Sequence, residues 1–149
     1  MAANIFEMMS MAGRALSVQR TRMEVVSSNL ANAHTTRSPE GGPYRKRNVI
    51  LAEEVARRYM NVAGQEDPGA EASTVKLVEI VKDSSPPKLV YEPDHPDADA
   101  SGYVAYPNIN TVEEMVDLIA IMRSYQANLS SFSALREMAQ SALTLGRNS

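Results

Sequence analysis

The sequence predicts a mainly α protein with a small β middle, in which two long terminal helices pair as a coiled coil with short strands and loops between them. Three observations predict it. All eight prolines lie between Pro39 and Pro107, and no glycine falls between Arg14 and Glu40 or between Tyr103 and Leu145. Apolar residues near both ends recur with a 3.5-residue period, the spacing of a buried helical seam. The middle instead holds short β-branched runs bounded by turn formers. Proline and glycine punctuate regular structure, so this shift draws three segments: an N-terminal coiled-coil helix over 1–36, a strand-and-loop middle over 37–107, and a C-terminal coiled-coil helix over 108–149.

In the first helix Ile5, Met9, Ala12, Leu16, Gln19, Met23, Val26 and Leu30 alternate four and three apart, with Gln19 the one polar member. From Asn4 to Ala33 such a helix spans roughly 45 Å. Asn4 is a candidate N-cap, because its side-chain oxygen can accept an orphan backbone N–H. The helix is expected to end within SSNLANAHTT, Ser27 to Thr36.

Three strands follow, at Arg45–Leu51, Thr74–Val81 and Lys88–Tyr91, with Gly102–Tyr106 a fourth. Asn61 to Ser73 is small and polar and is expected to be a mobile loop. Ala52 to Tyr59 suits a helix or a continued strand equally. Few large apolar residues occur here, so a sheet in this segment is small.

The last helix places Met115, Leu118, Met122, Tyr125, Leu129 and Phe132 on one seam; Arg136 interrupts it before Ala139 and Leu143 resume. Asn110 or Thr111 precedes Glu113 and Glu114, whose carboxylates complement the N-terminal dipole. Gly146 is placed to stop the helix. From Thr111 to Leu145 it spans roughly 50 Å.

Composition narrows the function classes. Hydrophobic residues make up 44% and charged residues 22%, so the chain has the makings of a core. A net charge of −3 is too mild for nucleic-acid binding by bulk electrostatics. Without cysteine there is neither a disulfide nor a thiolate metal site. The N-terminus has no basic region and carries Glu7 within its apolar part, unlike a cleavable secretory signal. No run approaches the roughly 18 apolar residues that span a bilayer.

No nucleophile elbow and no glycine-rich phosphate loop is present. The densest chemical cluster is Glu92-Pro-Asp94-His95-Pro-Asp97-Ala-Asp99. Oxygen and imidazole groups suit a divalent metal, and a small hydrolase using Asp94, His95, Asp97 and Asp99 is one reading. The spacing matches no established metal motif, and Asp and Pro are ordinary turn formers, so a solvated loop is the expectation. No catalytic, cofactor or metal site is assigned. Arg45-Lys46-Arg47 is too short for a nucleic-acid surface and reads as a charged strand edge or a salt-bridging surface toward a partner.

The seams carry more. Met8, Met11, Val18 and Val25 lie off the first seam, and Val112, Val116, Ile119 and Leu135 lie off the second. A second apolar flank on each helix implies more than one neighbour, and methionine adapts to slightly different contacts. These residues describe a structural or assembly protein.

SSNLANAHT at Ser27–Thr35 resembles the N-terminal signature of the bacterial flagellar rod, hook and hook-associated axial proteins. The run from Tyr106 to Arg147, opening YPNINTVEEM, resembles that family's C-terminal signature. Within the family, GGPYRKR and YEPDHPDADASGYVAYPNIN are similar to the proximal-rod branch. By matching positions, Asn29, Leu30 and Asn32 belong to the first signature, and Pro107, Asn108, Asn110, Glu113, Met115 and Tyr125 to the second.

The resemblance implies a non-enzymatic subunit of the basal-body rod, without cofactors, that polymerises into the drive shaft carrying torque from the motor ring to the hook. It implies export by the flagellar type III apparatus without a cleaved signal, and residence in the periplasm. Partners would be further copies, other rod proteins of the FlgB, FlgF and FlgG types, and a rod-to-motor-ring adaptor of the FliE type. The two seams become assembly seams on that reading. Asn29 and Asn32 are expected to satisfy backbone groups where the first helix ends, or to reach a neighbour's backbone. A helical-hairpin adaptor or secreted effector with a single partner is the alternative.

Overall fold

The computed structural model describes residues 2–57 and 71–147. In chain order the elements are α1 (Ala2–Ala31), β1 (Arg47–Arg57), β2 (Glu71–Lys82), β3 (Lys88–Tyr91), β4 (Tyr103–Tyr106) and α2 (Thr111–Arg147). Two long helices therefore flank a small β region, the predicted fold class. Ala52–Arg57 continues β1 as strand. Residues 58–70, with most of the expected loop, lie outside the described residues, and Glu71–Ser73 belongs to β2.

Two boundaries differ from expectation. Helix α1 begins at Ala2, which puts Asn4 inside its first turn instead of at a cap. Helix α2 runs one residue past Gly146. A glycine costs a helix only about 1 kcal/mol, too little to end one by itself.

β1 pairs with β2 and β3 with β4, giving two separate two-stranded sheets. The β3–β4 pair is antiparallel, with Tyr91 opposite Tyr103 and Val90 opposite Val104. Side chains alternate faces along a strand. One face accordingly buries Val104 completely, while the other exposes Leu89, Tyr91 and Tyr103. The rings of Tyr91 and Tyr103 meet edge to face, 5.3 Å between centroids. Gly102 precedes β4 at φ +80°, and a Cβ there would stand 2.8 Å from the Tyr91 ring, so this turn requires glycine twice over.

The chain forms two compact units. One gathers residues 1–20, 51–78 and 123–149; the other gathers 21–50 and 79–122. In the second unit, Asn29 in the last turn of α1 reaches Glu114 in the first turn of α2. The second unit contains the buried residues Val25, Asn29, Ala33, Val104, Glu114 and Ile121.

Candidate functional site: a buried asparagine at the helix junction

Helix α1 stops where its side chains begin to bond its own backbone. Asn32 Nδ2 donates to the Ser28 carbonyl at 2.8 Å, and Asn32 Oδ1 accepts from Thr35 Oγ1 at 3.2 Å. Its own N–H also reaches the Ser28 carbonyl, and Thr35 N–H bonds the Asn32 carbonyl. Such local bonds offer the backbone an alternative to a further helical turn. The chain then reverses through Ser38–Gly42, where Gly41 and Gly42 take φ +87° and +74°, a conformation that costs glycine little. Tyr44 N–H closes the reversal on the Thr35 carbonyl at 3.0 Å. This brings Tyr44, Lys46 and Arg47 back against the last turn of α1.

Asn29 faces that returning strand and is 1% exposed. Its Oδ1 accepts from Arg47 N–H at 2.9 Å and from the Tyr44 hydroxyl at 3.2 Å. Its Nδ2 donates to the Arg47 carbonyl at 2.9 Å and to Glu114 Oε2 at 3.1 Å. An amide offers two donors and two acceptor sites, and here all four are used. With Arg47 it pairs side chain to peptide as one strand residue pairs with another, so a helix docks on a strand through one side chain. Aspartate lacks the donors, and glutamine carries one extra methylene.

Glu114, in the first turn of α2, is 2% exposed. Lys46 Nζ lies 2.6 Å from its Oε1. A buried carboxylate is costly unless paired and hydrogen-bonded, and Lys46 with Asn29 meets both conditions. The hydrogen bond to Glu114 is the largest influence on Lys46 and raises its pKa above the ordinary lysine value, against an opposing effect of burial. Asn110 supplies the cap of α2: its Oδ1 accepts from Val112 N–H at 3.1 Å and Glu113 N–H at 3.5 Å. Three segments of the second unit, the end of α1, residues 44–47 and the start of α2, thus converge on one polar cluster, and no buried side-chain polar atom among the described residues lacks a partner.

The acidic turn spends its carboxylates separately. Glu92 accepts from the Tyr106 hydroxyl at 3.0 Å, Asp97 from Thr36 Oγ1 at 2.8 Å, and Asp99 from the backbone N–H groups of Ser101 and Tyr103. His95 Nδ1 accepts from Asp97 N–H at 3.1 Å. Among the described residues no three histidine or acidic side chains stand together as a metal-binding group. The rings of His34 and His95 each meet Tyr106 edge-on, 6.3 Å between centroids.

The predicted seams divide. In α2, Leu118, Tyr125, Phe132 and Ala139 are half-buried, whereas Met115, Met122, Leu129 and Leu143 are exposed. Glu114, Ile121, Asn128 and Leu135 alternate with the first four as the covered positions. In α1, Met9, Ala12, Leu16, Met23, Val26 and Leu30 are half-buried, and the side chain of Ile5 lies outside the described residues. The most buried positions, Val18, Val25 and Asn29, sit on the neighbouring flank. Of the remaining signature residues, Pro107 is buried, while Asn108, Asn110 and Glu113 are exposed.

Tyr44, Lys46 and Glu114 were not singled out from the sequence as partners of Asn29. The available signal was Glu114 itself, a carboxylate one residue from an apolar seam with a lysine elsewhere to neutralise it.

The similarity to known proteins includes these helix ends. Residues 9–37 match the family described as flagella basal body rod protein. Residues 100–145 match the flagellar basal body rod FlgEFG protein C-terminal family. Together with two terminal helices around a small β region, they define a flagellar rod-type structural subunit. The chain is 42% identical over 144 residues to the flagellar basal-body rod protein FlgC of Escherichia coli, covering 97% of each chain. It is 40% identical over 148 residues to the FlgC protein of Borreliella burgdorferi, covering 95% of this chain and 97% of the relative. It is 39% identical over 148 residues to that of Bacillus subtilis, covering 95% and 98%. The chain belongs to the FlgC family of flagellar basal-body rod proteins.

Proposed function

We propose that the chain is a structural subunit of the proximal rod of the bacterial flagellum, polymerising with other rod proteins into the tubular shaft that carries torque from the motor ring to the hook. The observation that carries this reading is the match along nearly the whole chain to FlgC proteins from distant bacteria. Polymerisation is supported by an outward apolar stripe on α2 formed by Val112, Met115, Val116, Ile119 and Met122. Their spacing of three and four places them on one helical face. Contiguous exposed apolar surface of this kind marks an interaction site.

The subunit works mechanically and not by catalysis, a reading supported by its similarity to flagellar rod proteins. Helices packed beside those of neighbours resist twist because many side-chain contacts must slip together. Its partners are further copies, sibling rod subunits and the adaptor to the motor ring. It reaches the periplasm through the flagellar export apparatus.

Locating a labelled copy in basal bodies purified from a complemented deletion strain tests the reading. Density for the chain in the proximal rod is the expected result. A soluble complex of fixed stoichiometry, with rods complete in its absence, overturns it in favour of a single-partner adaptor.

A further inference from the structure

Beside the asparagine junction, with which it shares Tyr44 and Arg47, the second unit carries a basic groove of about 470 Å³ whose walls also include Pro39, Glu40, Arg45 and Lys82. Three cations there face one carboxylate. Lys82 bonds Glu40 directly, and that bond is the main cause of a lowered Glu40 pKa, with Arg47 and Arg45 adding to the field. Arg47 lies over the Tyr44 ring, 5.7 Å from its centroid, which holds the guanidinium at the groove. Arg45 is exposed, and among the described residues it has no ion-pair partner. The groove therefore keeps a positive excess in a chain whose net charge is −3.

Elsewhere in the same unit the acidic turn offers the complement. Glu92, Asp97 and Asp99 are already bonded within the chain. Asp94 is exposed and, among the described residues, without a partner. It sits between Pro93 and Pro96, so the backbone presenting it loses little further freedom on docking. Glu113 and Asp117 on α2 are weaker candidates, because both already act on Lys46.

Building on the rod reading, we infer that the groove lined by Arg45, Arg47 and Lys82 receives the Asp94 turn of a second copy of this chain. The two surfaces are different patches of one molecule, so the contact is heterologous. Such contacts propagate along a helical array unless the rotation closes them into a ring. Charge complementarity here fixes which neighbour docks and in what register, more than it adds affinity.

A charge-exchange cycle on the full-length chain tests this. Arg45→Glu and Asp94→Arg are made singly and together, with Arg45→Gln and Asp94→Asn as milder versions. Self-association is followed by sedimentation at low and physiological salt, and rod assembly in complemented cells. Each reversal is expected to weaken association by about tenfold or more, since like charges then face each other. The double variant is expected to return to within about threefold of the starting protein, and the milder variants to fall between. Singles that associate normally overturn the inference. So does a double variant no better than its parents, which would assign the groove to another anionic partner. Both results leave the rod reading standing where the unaltered chain still complements; failure of the unaltered chain to enter the rod would remove that reading instead.

Discussion

Replacing Asn29 by alanine removes all four bonds of a side chain that is 1% exposed and leaves the Arg47 peptide group, the Tyr44 hydroxyl and Glu114 short of a partner. Buried groups left unsatisfied cost about 1–3 kcal/mol each. Chemical denaturation of Asn29→Ala should show a loss of that order at least. Asn29→Asp keeps the shape, removes both donors and sets a second carboxylate against Glu114. Its loss at neutral pH should exceed that of alanine and should shrink as the pH falls and the introduced carboxyl takes up a proton. A loss independent of pH would show that geometry, not charge, governs the site.

Lys46 gives the opposite pH limb. Its folded pKa lies above the ordinary value because Glu114 bonds the charged form. The stabilisation is therefore fully present below the unfolded lysine value of about 10.4 and is lost as pH rises through the higher folded value. An alkaline titration of stability should show a decline above about pH 10.4 that Lys46→Met lacks.

At the level of the elements, Asn110 is the N-cap of α2, and Asn110→Ala should cost about 1 kcal/mol while Asn110→Ser costs only a fraction of that. Denaturant midpoints of the two variants check this. Element type was legible for both helices and the short strands: the periodicity of α1 and α2 and the runs KLVY and YVAY appear as helices and strands, whereas Ala52–Arg57 suited helix and strand equally and Glu71–Ser73 read as loop, and both are strand. Ends were less so, because a lone Asn4 or Gly146 has too little leverage over a long helix. The inward positions of α2 were harder still. Apolar pattern chooses Met115 and Met122, yet Glu114 and Ile121 are the buried pair. A carboxylate joins a covered face only when specific partners neutralise it, and Lys46 and Asn29 arrive there through a chain reversal that periodicity cannot foresee. Asn29 itself was legible as a helix-end residue, but not as the group that docks the returning strand.

For the molecule as a whole, the division of α2 into covered and outward faces separates folding from assembly. Ile119 is 53% exposed and Val116 60%, whereas Ile121, two residues further along, is 3% exposed. A charge at Ile119 meets solvent in the lone chain and costs little. Inside a packed array the same charge is desolvated without a partner, at several kcal/mol per contact. Ile119→Asp should therefore keep the helical circular dichroism and denaturation midpoint of the unaltered chain, yet fail to complement motility and be missing from purified rods. Ile121→Asp should lose stability as well, since its side chain is buried within the subunit. Motile cells carrying Ile119→Asp would exclude the outward stripe from the assembly contacts. An equal loss of stability in both variants would show instead that the stripe belongs to the subunit's own core.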